Sequence, residues 1–73
     1  MTIEDLYAKC LEKMRYGDLW KEFTVEELME YARIKLKRGN ILRKRNQLDK
    51  FEDDVLDAAN IALCAILKQS EEV

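Results

Sequence analysis

The chain has no proline, no histidine, two glycines and two cysteines among its 73 residues. Each scarcity excludes something. Without proline and with so little glycine, the many tight turns of a β-sandwich or barrel have nothing to be built from. With no histidine, and with Cys10 and Cys64 far apart in sequence, a structural zinc site lacks its ligands. No glycine-rich phosphate loop and no nucleophile–base pair can be written onto the chain. Its longest strongly apolar stretch, Val55 to Leu67, is broken by Asp57 and Asn60. It falls short of the roughly 18 to 20 apolar residues of a membrane span. Glu4 and Asp5 stand where a leader would carry basic and then apolar residues, so no signal peptide is read. The expectation is a cytoplasmic protein without membrane contact, its cysteines reduced and packed among apolar neighbours.

What the chain does have is charge and apolar side chains together: 38% of residues are charged and 48% hydrophobic. That is too apolar for disorder and too charged for a membrane. At 8.7 kDa it is a single domain, residues 1–73, with room for only a small core. Chains of this size usually add disulfides, metals or oligomerisation, and Cys10 and Cys64 allow one bridge at best. The net charge of −2 is unevenly spread. A band from Arg33 to Arg45 holds seven basic residues and no acid, between acidic ends.

Three helices are expected. Thr2 caps the first, with Asp5 as a weak capping-box acid, and Ile3, Leu6, Tyr7, Cys10, Leu11 and Met14 share one face up to a stop at Gly17. Thr24 and Glu27 form a complete capping box for the second, with Phe23 and Leu28 as its staple. Val25, Leu28, Met29, Ala32 and Leu36 make its buried stripe, and Gly39-Asn40 reads as its C-terminal stop, with Ile41 to Arg45 either a separate turn or a continuation of the helix. The third should start near Asn46 or Asp49 and run to about Gln69. From Val55 to Leu67 its apolar surface wraps nearly all round, and two shorter amphipathic helices cannot cover that alone. The expected architecture is therefore all-α, a three-helix protomer completing a helical bundle by dimerisation or higher self-association.

The acids carry the candidate chemistry. Glu27 and Glu30 lie three apart on the second helix, and Asp54 and Asp57 three apart on the third, so each pair projects from one face. Antiparallel packing would bring four carboxylates together, a cluster that demands protons or hard cations such as Mg²⁺ or Mn²⁺. A plainer account exists for each pair. Glu26, Glu27 and Glu30 also suit a helix N-terminus, and Asp57 with Asn60 also suits a satisfied polar pair that sets bundle register.

Glu26-Glu27-Leu28-Met29-Glu30, then 23 residues, then Asp54-Val55-Leu56-Asp57 resembles the EExxE and ExxD pattern of the all-α NTP pyrophosphohydrolases, the MazG-like superfamily. The run Asp53-Asp54-Val55-Leu56-Asp57-Ala58-Ala59-Asn60-Ile61-Ala62 is similar to their third-helix segment. Tyr16-Gly17-Asp18-Leu19-Trp20 looks like the YGxxW stretch of some small relatives. Asp54 stands where the family has glutamate. The resemblance implies a helical dimer or tetramer in which Glu27, Glu30, Asp54 and Asp57 hold Mg²⁺ (or Mn²⁺) and act in catalysis. Its activity would be hydrolysis of a nucleoside triphosphate to the monophosphate and pyrophosphate. Asn60 and Trp20 would line the substrate, with Arg33 and Lys37, or Lys44 and Arg45, on its phosphates.

Three other accounts compete. The basic band also reads as a solvated face pairing with the acidic ends, and Tyr16, Trp20 and Phe23 as corner packing. Nucleic-acid binding is disfavoured by the acidic flanks and a pI near 5.1. A different class altogether is a catalytically inactive helical dimer that serves as a binding or interaction module.

Overall fold

The computed structural model describes residues 1–13 and 19–72. Within them the chain is helical, with α1 at Ile3–Lys13, a short 3-10 turn at Leu19–Glu22, α2 at Val25–Lys44 and α3 at Leu48–Glu71. No strand occurs among the described residues. Gly17 as a helix stop, Met14, and the Tyr16-Gly17-Asp18 part of the aromatic stretch lie outside them.

The starts of α1 and α2 are fixed by reciprocal caps, whereas α3 begins after Gln47 without a side-chain cap. The Thr24 hydroxyl accepts from the Glu27 amide at 3.1 Å, while the Thr24 amide donates to Glu27 Oε1 at 2.9 Å. Thr2 and Asp5 make the same exchange at 3.2 and 3.0 Å, so that box is complete rather than weak. Each satisfies amides that the first helical turn would leave open.

The stop expected at Gly39-Asn40 is not used, because α2 runs on to Lys44. The reversal falls at residues 45–47, where Asn46 takes a left-handed φ of 60°, a conformation asparagine tolerates better than most side chains. Gly39 serves close packing instead. It is buried, and a Cβ built there would lie 3.4 Å from Asp54 Cβ and 3.6 Å from Val55 Cγ2. The missing side chain lets α2 and α3 approach closely as an antiparallel hairpin.

The hairpin holds the small core: Leu28, Ala32, Leu56, Ala58 and Ala65, with the polar Asp54 and Asn60. Of the expected α2 stripe, Leu28 and Ala32 are buried and Val25 half-buried, but Met29 and Leu36 are 61% and 51% exposed. In α1 only Leu6, Cys10 and Lys13 are half-buried, and Ile3, Tyr7 and Leu11 are exposed. The protomer measures 41 × 24 × 17 Å, a slab too thin to enclose a large interior. Its radius of gyration is 12.9 Å, against about 11 Å for a compact chain of this length.

Candidate functional site

The centre of the molecule, where α1, α2 and α3 meet, is ionic. Asp54 projects from the α2-facing side of α3 and is 2% exposed, the most buried of the core residues. Arg38 grips it with both prongs: Nε donates to Oδ2 at 2.7 Å and Nη2 to Oδ1 at 2.5 Å. Lys35, one turn earlier on α2, sits 3.9 Å from Asp54 Oδ1 and donates to Asp57 Oδ2 at 3.4 Å. From α1, Lys13 donates to Asp57 Oδ1 at 3.2 Å and lies 3.4 Å from Asp53 Oδ1. One turn further along α3, the Asn60 amide donates to the Cys10 carbonyl at 3.0 Å, and the Cys10 thiol donates to Asn60 Oδ1 at 2.7 Å.

The hairpin register explains this array. Antiparallel pairing about residues 45–47 sets the basic stretch of α2 against the acidic first half of α3, so opposite charges meet in successive turns. Hydrogen bonds from Arg38, helped by the fields of Lys35 and Lys13, hold the Asp54 carboxyl below its ordinary 3.8 despite burial. Burial opposes the charge on Lys13, yet Asp57 and Asp53 outweigh it and hold the ammonium above its ordinary 10.5. No buried side-chain polar atom is left without a partner among the described residues.

Of the four expected metal ligands, Asp54 and Asp57 share this centre and Glu27 and Glu30 do not. Glu27 is spent on the Thr24 cap, and Glu30 is on the surface, bound at 2.9 and 2.5 Å by Arg33. The α2 residues opposite Asp54 and Asp57 are Lys35, Arg38 and Gly39. Glu30 lies five residues before Lys35, about 7.5 Å along the helix axis, and Glu27 nearly a turn further. Among the described residues no three acids or cysteines gather as a cation cage within one protomer. Arg33 and Lys37 are exposed on α2, and Trp20 is half-buried in the 3-10 turn, with the Lys21 ammonium 5.7 Å from its ring centre.

The sequence reading allowed the basic band to pair with the acidic ends, but it did not single out Lys35 and Arg38 as the partners of Asp54 and Asp57, and it missed Lys13. The signal was available in Asn46: a turn there, rather than at Gly39, sets residues 35–38 opposite residues 54–57. The donor set is nonetheless the right kind for Mg²⁺, which takes one or two protein carboxylates and completes its shell with water and phosphate oxygens. Asp54 and Asp57 are two hard oxygen donors within one turn, beside three cations of the sort that receive phosphates.

No protein-family model, no curated protein and no solved structure matches the chain.

Proposed function

We propose that this protein is a small MazG-like nucleotide-handling protein, self-associating, that binds a nucleoside triphosphate with Mg²⁺ (or Mn²⁺) and hydrolyses it to the monophosphate and pyrophosphate. The observation that supports this reading is the ionic centre. A buried aspartate with its cationic partners is a poor way to stabilise a core of five apolar residues, because desolvation offsets most of the attraction. Apolar side chains of the same volume would serve stability as well or better. A chain with so little core that still places acids and bases at its centre fits a chemical use for them.

The chemistry follows from the pairing. Resting, the carboxylates and cations neutralise one another. A triphosphate gives Lys13, Lys35 and Arg38 new anionic partners, which frees Asp54 and Asp57 to act as oxygen donors without stranding any charge. When bound there, Mg²⁺ would supply neutralisation of the phosphate oxygens. Asp53, 64% exposed and beside Lys13, is the nearest further carboxylate able to take a proton from water.

A second reading, a catalytically inactive helical dimer used for binding, is favoured by the fate of Glu27 and Glu30, which are engaged in a cap and a surface pair. Titration calorimetry with a non-hydrolysable triphosphate separates the two. Binding that requires Mg²⁺ and is lost in Asp57→Asn, with helicity retained, is the expected result. Absence of Mg²⁺-dependent binding would leave the second reading standing, and full turnover in Asp57→Asn would take that residue out of the site.

A further inference from the structure

The side of the hairpin away from Arg38 carries the opposite kind of surface. Along α2, Val25, Met29, Ala32, Leu36 and Gly39 follow one another at intervals of four, three, four and three. Along α3, Val55, Ala59, Ala62 and Ile66 do so at four, three and four. Those are the intervals at which helices in bundles present a seam to a partner. The two seams meet at Gly39, where a built Cβ would lie 3.4 Å from Asp54 Cβ and, toward the seam, 3.6 Å from Val55 Cγ2. Ala32 and Gly39 are buried and Val25 and Val55 half-buried, but the larger part of both seams is open: Met29 is 61%, Leu36 51% and Ile66 67% exposed, and Ala59 and Ala62 are exposed as well.

We infer that this double seam is the docking surface for a second copy of the chain, forming an antiparallel four-helix bundle from two α2–α3 hairpins. The inference deepens the self-association contained in the proposal above, and it names the surface independently of any chemistry at the ionic centre. Three features point to a second copy.

The first is area. The protomer exposes 5778 Å², whereas a compact monomer of 8.7 kDa exposes about 4,700 Å². The excess of roughly 1,000 Å² is the size of one side of a standard stable interface, about 800 Å². The second is shape. A two-fold axis parallel to the hairpin sets α2 of one copy beside α3 of the other at unchanged height. In the register fixed by Gly39 and Asp54, Met29 then meets the level of Ala62 and Ile66, and Leu36 that of Val55 and Ala59. Large side chains on one helix thus face small ones on the other, twice over by symmetry. The third is charge. The same operation brings Lys44, at the rim of α2, to the height of Asp49 at the rim of α3 in the partner, and neither makes an ion pair within the protomer among the described residues.

Sedimentation equilibrium on the full chain tests this. The wild type should have twice the chain mass at micromolar concentration, and a monomer there would overturn self-association altogether. Leu36→Glu and Ile66→Glu each put a charge into the seam and should weaken the dimer at least about a hundredfold with helicity unchanged. A dimer that tolerates both substitutions would place the interface elsewhere and overturn the surface proposed here. If either variant loses its helices, register decides: Ala62→Met should weaken association and adding Met29→Ala to it should restore it. Failure of that restoration counts equally against the seam.

Discussion

The two long edges of the α2–α3 hairpin come from the same pair of helices and have opposite fates. On one, Arg38 and Lys35 meet Asp54 and Asp57, Lys13 reaches in from α1, and no buried polar group among the described residues goes unanswered. On the other, Ala32 and Gly39 are buried, while Met29, Leu36, Ala59, Ala62 and Ile66 at bundle spacing stand exposed to solvent. Charge is balanced within one chain because it is a pairwise matter, settled by the register of neighbouring turns. Apolar burial needs enclosure, and two helices side by side leave each other half wrapped. Within one chain the buried polar side chains are answered, among the described residues, while much apolar surface stays exposed.

Both edges depend on how closely the helices approach, so the largest effect is expected at Gly39. Gly39→Ala adds a Cβ at 3.4 Å from Asp54 Cβ, an ordinary contact, and raises helix propensity by up to about 1 kcal/mol. Stability should be unchanged or slightly higher. Gly39→Leu has no such room and should cost about 3 kcal/mol, prising apart the salt bridges and the seam together. Chemical denaturation of the three proteins measures this. A Leu variant as stable as wild type would show that the close approach does not hold the hairpin.

The next effect belongs to the ionic edge alone. Asp54→Asn keeps the shape and removes the charge that Arg38 and Lys35 answer, at an expected cost of about 1–3 kcal/mol. Its pH signature is specific. A carboxyl held below its ordinary 3.8 stabilises the fold fully above that value, and the benefit fades as pH falls through the lower folded pKa. The wild type should thus lose stability below about pH 4, and Asp54→Asn should lose less of it. Lys13 works in the reverse sense: its raised pKa gives a contribution that is complete below 10.5 and disappears only at higher pH. Acid titrations followed by circular dichroism distinguish the two. Equal acid sensitivity in variant and wild type would mean that Asp54 is not the responsible group.

Smaller still is the Thr24 cap, which lies beyond either edge. Thr24→Ala should cost about 1 kcal/mol and leave the acid sensitivity unaltered. A loss far above that would mean Thr24 does more than cap α2.

Much of this was legible in the residues. The capping boxes at Thr2 and Thr24 follow local rules that need no tertiary knowledge, and both are present. The third helix was readable from its long apolar run, interrupted only by Asp57 and Asn60, and its start at Leu48 falls within the expected range. Gly39 was misread because glycine has two uses, ending a helix and admitting a neighbour, and only the neighbour tells them apart. The acids were matched by their spacing and the family pattern, which set Glu30 against the aspartates, whereas the turn at Asn46 sets Lys35 there. The stripe containing Met29 and Leu36 was correctly periodic, but a period says which residues share a face and not what covers that face. Self-association was expected from α3 alone, whereas the exposed seam runs over both helices.

The smallest predicted effect concerns α1. Among the described residues its polar attachments to α3 are Lys9 with Glu52 at 3.2 Å, Lys13 with Asp57 at 3.2 Å and Asp53 at 3.4 Å, and Cys10 with Asn60. None of its residues is fully buried. Partly exposed pairs of this kind contribute about 0.2–1 kcal/mol each and weaken with salt. Lys13→Ala should therefore leave global stability almost unchanged while raising hydrogen exchange along α1, and added salt should do the same to the wild type. Exchange in α2 and α3, protected by the hairpin, should not move, and neither should the sedimenting mass, since α1 reaches α3 from the side opposite the seam. If Lys13→Ala instead dissociated the assembly, the two edges would be coupled through α3 and could not be treated as separate surfaces.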